Sequence, residues 1–108
     1  LGSCSLGDIG KHFPDTDNKY KGIDSKILLQ KVMNLVSEKK YQISNVDVTI
    51  LLQKPKLRNY IDSMRDSLSK IMEISISQIS VKATTTEGLG FVGREEGVAA
   101  HCVCLITK

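Results

Sequence analysis

The sequence has no tryptophan, and phenylalanine and tyrosine together supply only 5% of its 108 residues. Its core must therefore be built mainly from Ile, Leu, Val and Met. No apolar run reaches the length of a bilayer span, which excludes a transmembrane helix and a membrane partner reached through one. Cysteine is scarce and odd in number: Cys4, Cys102 and Cys104. Cys102 and Cys104 lie too close in one apparent strand to pair comfortably, so the three do not form a disulfide framework. A reducing compartment is the simpler setting. A strong excess of one charge is also lacking. The 15 basic and 12 acidic residues leave a net +3 without a basic stripe or interleaved aromatics. That argues against nucleic acid as a partner and stays compatible with a small anionic ligand.

What is present is ordinary for one small soluble domain, with 41% apolar and 25% charged residues. The opening LGSCSLGDIG resembles neither a signal peptide nor an initiator-Met start, so the chain is expected to begin within a longer protein. Gly2, Gly7, Gly10, Pro14 and Gly22 punctuate residues 1–23, which predicts a loop. Asp24 or Ser25 then caps a helix to about Lys39, with Leu28, Val32, Leu35 and Val36 on one face. From Val46 the period becomes two: Val46, Val48, Ile50 and Leu52 alternate with Asp47, Thr49, Leu51 and Gln53. Pro55 ends that strand, since it cannot donate to a ladder. A second helix from about Leu57 buries Ile61, Met64, Leu68 and Ile71. A short strand through Ile79, Val81 and Ala83, a glycine-rich stretch and a final strand over residues 98–108 complete the chain.

This alternation predicts an α/β architecture (an α+β sandwich) with helices packed on one face of a small mixed sheet. Three strands are fewer than most sheets contain. Either partners complete the sheet or an N-terminal portion is absent.

Three segments carry residues that folding does not require. In GDIGKHFPDTD (7–17), Asp8, Asp15 and Asp17 sit among glycine and proline, where carboxylates can accept from hydroxyls; on spacing alone, Asx-turns explain them as well or better. QKPKL (53–57) joins a strand end to a helix start, a favoured place for ligands, though Pro55 could be a simple strand terminator. In ATTTEGLGFVGREEG (83–97), a threonine run offers donors for phosphate oxygens, and Glu87 beside it suits magnesium. The glycines there allow close backbone approach; a flexible turn region is the plainer alternative. His12 and His101 are the only histidines. A zinc site normally needs three protein ligands, so one built from this chain alone is not expected. Cys102 and Cys104 read as small apolar core residues.

The strings GDIGKHFPDTD, NVDVTILLQKPKL and VKATTTEGLGFVGREEGVAAHCV, in this order, closely resemble the 2-C-methyl-D-erythritol 2,4-cyclodiphosphate synthase family from Leu1 to Lys108. The resemblance implies an enzyme of non-mevalonate isoprenoid precursor synthesis. It would cyclise 4-diphosphocytidyl-2-C-methyl-D-erythritol 2-phosphate and release CMP. By match, Asp8, Gly10, Phe13 and Asp15 line the methylerythritol end of this cytidine diphosphate substrate. Leu52, Pro55, Lys56, Leu57 and Ala83 form the cytidine pocket, Thr84 and Thr85 contact the diphosphate, and Glu87 binds Mg2+ or Mn2+. Phe91 and Arg94 match positions near a central cavity, because the family forms homotrimers with active sites shared between chains. It also implies Zn2+ held by an Asp-x-His and a helical His, none of which occurs in this chain. Those ligands, with two strands and a helix, are expected upstream of Leu1. A truncated, inactive fragment that still trimerises and binds cytidine nucleotides is the competing expectation. The pathway implies a bacterial cytoplasm or a plastid-type organelle.

Overall fold

The computed structural model describes all residues, Leu1–Lys108. They form two units, residues 1–42 with 106–108 and residues 43–105.

In the first unit, residues 1–23 are not the plain loop their composition predicts. They hold helical turns at Gly2–Cys4, α1 (Ile9–His12) and Asn18–Tyr20. The last two are held by side-chain capping. Asp8 Oδ1 accepts from the Lys11 amide at 2.9 Å, and Asp17 Oδ1 accepts from the Lys19 amide at 3.1 Å. Each carboxylate satisfies an amide that a turn start would otherwise leave unpaired.

Helix α2 (Ser25–Glu38) agrees closely with the apolar periodicity, and Val36 is its buried residue. Asp24 is its N-cap, with Oδ1 accepting from the Lys26 amide at 2.8 Å. That amide, and then the Lys26 side chain, hold the Asp24 carboxyl below its ordinary 3.8. Because the folded value is the lower one, the cap's contribution is complete above pH 3.8 and is lost as pH falls through the folded value. Asp24→Asn keeps a capping oxygen without a titrating proton. Acid melts followed by circular dichroism should therefore fall less steeply for the variant, and identical acid sensitivity would remove this account of the cap.

The second unit is organised by a sheet of β1 (Gln42–Leu51), β2 (Ile79–Thr84) and β3 (Ala99–Thr107), in the order β2-β1-β3. The sheet is mixed, which makes the fold α+β as expected. Strand β1 starts four residues before Val46; polar Gln42, Ser44 and Asn45 have weak strand preference, which hides the extension. β1 and β2 run parallel, with Val46 opposite Ile79, Val48 opposite Val81 and Leu51 opposite Thr84. A parallel pair needs a crossover. Here it is a 3-10 turn, Arg58–Tyr60, leading into α3 (Ile61–Met72), which packs on β2.

Arg65 on α3 fixes the start of β2. Its Nε donates to the Ile79 carbonyl at 2.8 Å and its Nη2 to the Ile76 carbonyl at 2.9 Å. Val46, Ile79, Val81 and Val92 are the buried apolar residues of this unit. Val46 and Ile79 form a register pair, so the core begins where the two parallel strands meet. The cysteine expectation fails here: Cys102 is exposed and Cys104 only partly buried. They lie on β3, an end strand of the sheet, with only β1 beside it. No helix is long and apolar enough to cross a membrane.

Candidate nucleotide and phosphate site

Parallel pairing brings the C-terminal ends of β1 and β2 side by side. The Leu52 amide extends the pairing by donating to the Thr84 carbonyl at 3.0 Å. Beyond that bond the two strands separate, one continuing through Gln53–Leu57 and the other through Thr85–Gly88. A cavity of about 330 Å³ opens there, lined by Leu52, Gln53, Pro55, Lys56, Leu57, Arg58, Ile61, Ala83, Thr84 and Thr85. Its volume lies at the lower end of the range for small-molecule sites, and its place at the strand ends is the usual one in α/β sheets.

All five residues expected around cytidine, Leu52, Pro55, Lys56, Leu57 and Ala83, line this one cavity with Thr84 and Thr85. Arg58 and Ile61 also line it and were not assigned. Arg58 directly follows the QKPKL segment, which was a usable signal. Ile61 was read only as part of an apolar helical stripe. Gln53 lay inside the segment but had no role.

Glu87 sits in a tight turn next to the cavity. Glu87 has φ 54° and Gly88 φ 78°. The Leu89 amide donates to the Thr86 carbonyl at 3.0 Å, and Thr86 Oγ1 donates to the Leu89 carbonyl at 2.6 Å. Two successive positive φ values suit Gly or Asn; a glutamate in the first position is uncommon. Held non-glycine residues of this kind cluster at functional sites. The Glu87 amide donates to Thr85 Oγ1 at 3.3 Å, which ties the turn to the cavity lining.

Gly93 supports the turn from behind. A Cβ on it would lie 2.1 Å from the Gly88 carbonyl carbon. Gly93 ends α4 (Gly90–Gly93), where the glycine-rich stretch forms a helical turn. Phe91 and Arg94, expected near a central cavity between chains, do not line this cavity. Phe91 is exposed. The Arg94 guanidinium makes two bonds to Glu96, Nε to Oε1 at 2.9 Å and Nη2 to Oε2 at 3.2 Å.

The remaining expected residues belong to the first unit. Asp8 caps α1 as described. Phe13 is partly buried and meets Tyr20 edge-on, with ring centroids 5.5 Å apart. Asp15 is exposed after Pro14. Gly10 has ordinary room for a Cβ, with Asp8 Oδ1 at 3.6 Å, so space does not demand glycine there. His12 Nε2 lies 2.8 Å from the Leu6 carbonyl oxygen, a local structural bond.

No group of three His, Cys, Asp or Glu side chains is placed to hold a metal ion. Zinc, which wants three or four such ligands, does not fit the residues of this chain. A magnesium or manganese ion has a lighter requirement: one or two carboxylates, with phosphate and water as the other ligands. Glu87 beside the threonine hydroxyls fits that description.

A mixed sheet with a cavity at the ends of its parallel strands, bordered by threonines and a glycine turn, defines an α/β domain suited to a phosphate-bearing ligand. The family model described as YgbB family matches residues 1–107. Curated relatives named 2-C-methyl-D-erythritol 2,4-cyclodiphosphate synthase, from Brachyspira hyodysenteriae and Francisella tularensis subsp. novicida, are 57% and 58% identical over all 108 residues, which cover 68% of each. The structure of IspF from Plasmodium falciparum in complex with CDP is similar at a TM-score of 0.85 and 33% identity. That likeness covers 98% of this chain and 63% of the other. A 2C-methyl-D-erythritol-2,4-cyclodiphosphate synthase with CDP bound is similar at 0.89 and 33%, covering 99% and 69%. The chain belongs to the YgbB family, whose curated relatives are the 2-C-methyl-D-erythritol 2,4-cyclodiphosphate synthases.

Proposed function

We propose that the protein cyclises 4-diphosphocytidyl-2-C-methyl-D-erythritol 2-phosphate to 2-C-methyl-D-erythritol 2,4-cyclodiphosphate and releases CMP. The observation that carries this reading is the single cavity joining Leu52, Pro55, Lys56, Leu57 and Ala83 to Thr84 and Thr85. An oxygen of the 2-phosphate attacks the β-phosphorus and forms a new P–O bond. The bond from that phosphorus to the bridging oxygen breaks, and its electron pair leaves on CMP. Such a transfer asks the protein mainly for positioning and charge neutralisation. The Pro55–Leu57 segment and Ala83 frame the base, and Thr84 and Thr85 hold the diphosphate. Asp8 and Asp15 of a neighbouring chain of the homotrimer take the methylerythritol hydroxyls, with its Gly10 and Phe13 lining that end. Glu87 holds a magnesium or manganese ion, which neutralises diphosphate charge when bound.

Homotrimer formation belongs to the same proposal. Leu89, Phe91, Val98, Val103 and Leu105 are each more than half exposed, and large exposed apolar residues grouped on one segment and one strand suit a protein contact. Phe91 and Arg94 fall in that region. The bacterial relatives favour a bacterial cytoplasm over a plastid-type organelle.

The test is a turnover assay on the full-length protein with CMP release and ring closure followed by phosphorus NMR. Calorimetry adds the site. Ala83→Leu fills part of the cavity and should weaken CMP binding at least tenfold while leaving the melting temperature nearly unchanged. Absence of CMP release, or CMP binding indifferent to Ala83→Leu, would overturn the assignment.

A further inference from the structure

The two loops that bound the cavity are tied to each other beyond the last strand bond. Gln53 Oε1 accepts from the Gly88 amide at 3.4 Å. One residue on, Lys54 Nζ lies 3.4 Å from Glu95 Oε1. Both bonds span from the strand end that frames the base to the segment that carries Glu87. The Lys54–Glu95 pair is solvent-exposed on both sides, and such pairs contribute little. The Gln53 bond is different, because it reaches the backbone of the Glu87–Gly88 turn. That turn already holds two residues at positive φ and has one face closed by Gly93. Gln53 itself lines the cavity.

We propose that Gln53 is a positioning residue, an acceptor that fixes the Glu87–Gly88 turn against the nucleotide cavity and so aims the Glu87 carboxylate at a diphosphate-bound divalent ion. The inference rests on the cytidine-diphosphate reading of the site and deepens it. Without the acceptor, the Gly88 amide loses its partner across the cavity mouth, and the turn can pivot about Thr86 and Leu89. Base binding does not depend on the turn, since the Pro55–Leu57 segment and Ala83 supply that pocket. The bond is long for N–H···O. Polar contacts in ligand-free sites are commonly long and tighten when the ligand arrives. Gln53 therefore links the two halves of the site: the loop that holds the base also sets the carboxylate that meets the metal.

The test separates base binding from metal-assisted diphosphate binding. Calorimetry on the full-length protein measures CMP, CDP, and CDP with magnesium chloride, for the wild type, Gln53→Met and Gln53→Glu. Methionine keeps the length and has no comparable acceptor; glutamate keeps an acceptor oxygen. Gln53→Met should bind CMP within about twofold of wild type. Its magnesium-dependent gain in CDP affinity should shrink by about two- to tenfold, the range that one lost hydrogen bond gives. Gln53→Glu should recover most of that gain. A Gln53→Met protein with the full magnesium gain, or one whose CMP and CDP affinities fall together, overturns the positioning role. Failure of the wild type to bind CMP at all removes the site reading beneath it, and the role of Gln53 with it.

Discussion

Replacing Glu87 by glutamine is expected to cut turnover by at least about tenfold and to raise the magnesium concentration that supports half-maximal rate. Residues that merely support a metal ligand are typically worth about 10- to 100-fold in affinity or activity, and a direct ligand should be worth no less. The substitution keeps the size and the positive φ of 54°, so the melting temperature should hardly move. It leaves the Glu87 amide free to donate to Thr85 Oγ1 as before. What it removes is the carboxylate proposed to hold the metal ion, on a turn tied to Thr85 of the cavity lining. CMP affinity measured without metal should therefore stay unchanged, which separates a metal role from a collapse of the pocket. If manganese and magnesium dependence were the same in wild type and variant, Glu87 would not be a metal ligand, and its strained conformation would need another explanation.

The parts of this fold that were legible in advance are those where burial is one-sided over several turns or residues. Helix α2 shows its stripe through Leu28 to Val36, and β1 shows strict alternation from Val46. The cavity residues were legible for a different reason, because two long strings of loop residues match a family pattern. What stayed hidden depends on single side chains or on adjacency. Of the turns within residues 1–23, Ile9–His12 and Asn18–Tyr20 exist because Asp8 and Asp17 cap them, and composition there suggests only loop. Gln53 meets Gly88 across 35 positions of sequence, a contact that only the parallel β1–β2 pairing creates. Cys102 and Cys104 were misjudged because small apolar residues on a strand imply burial only when both sides of that strand are covered. Glu87 was visible as a carboxylate beside threonines; its positive φ was not, but Glu73 and Glu95 share that φ, and what sets Glu87 apart is the bond of its amide to Thr85 of the cavity lining.

Gly93→Ala should be the most damaging single-methyl change in the second unit. Its Cβ would stand 2.1 Å from the Gly88 carbonyl carbon, 2.6 Å from its oxygen and 2.7 Å from its Cα. These are backbone atoms, so no side-chain rotamer relieves the overlap. Overpacking in a tight site typically costs about 1–3 kcal/mol, and an overlap this deep belongs at the upper end. For a domain of this size about 3 kcal/mol corresponds to a loss on the order of 10–20 °C in melting temperature. The chain has one escape, which is to move the Glu87–Gly88 turn away from α4. That would spare stability and misplace Glu87, breaking the Gln53–Gly88 bond as well. Either way the substitution must be felt, in the melt or in the magnesium-dependent gain in CDP affinity. Gly2→Ala is the matched control: a Cβ there meets nothing within 4 Å, and the change should stay within about 0.5 kcal/mol of wild type. A Gly93→Ala protein with wild-type melting and a wild-type magnesium response would mean that the Gly88–Gly93 approach does not hold the turn.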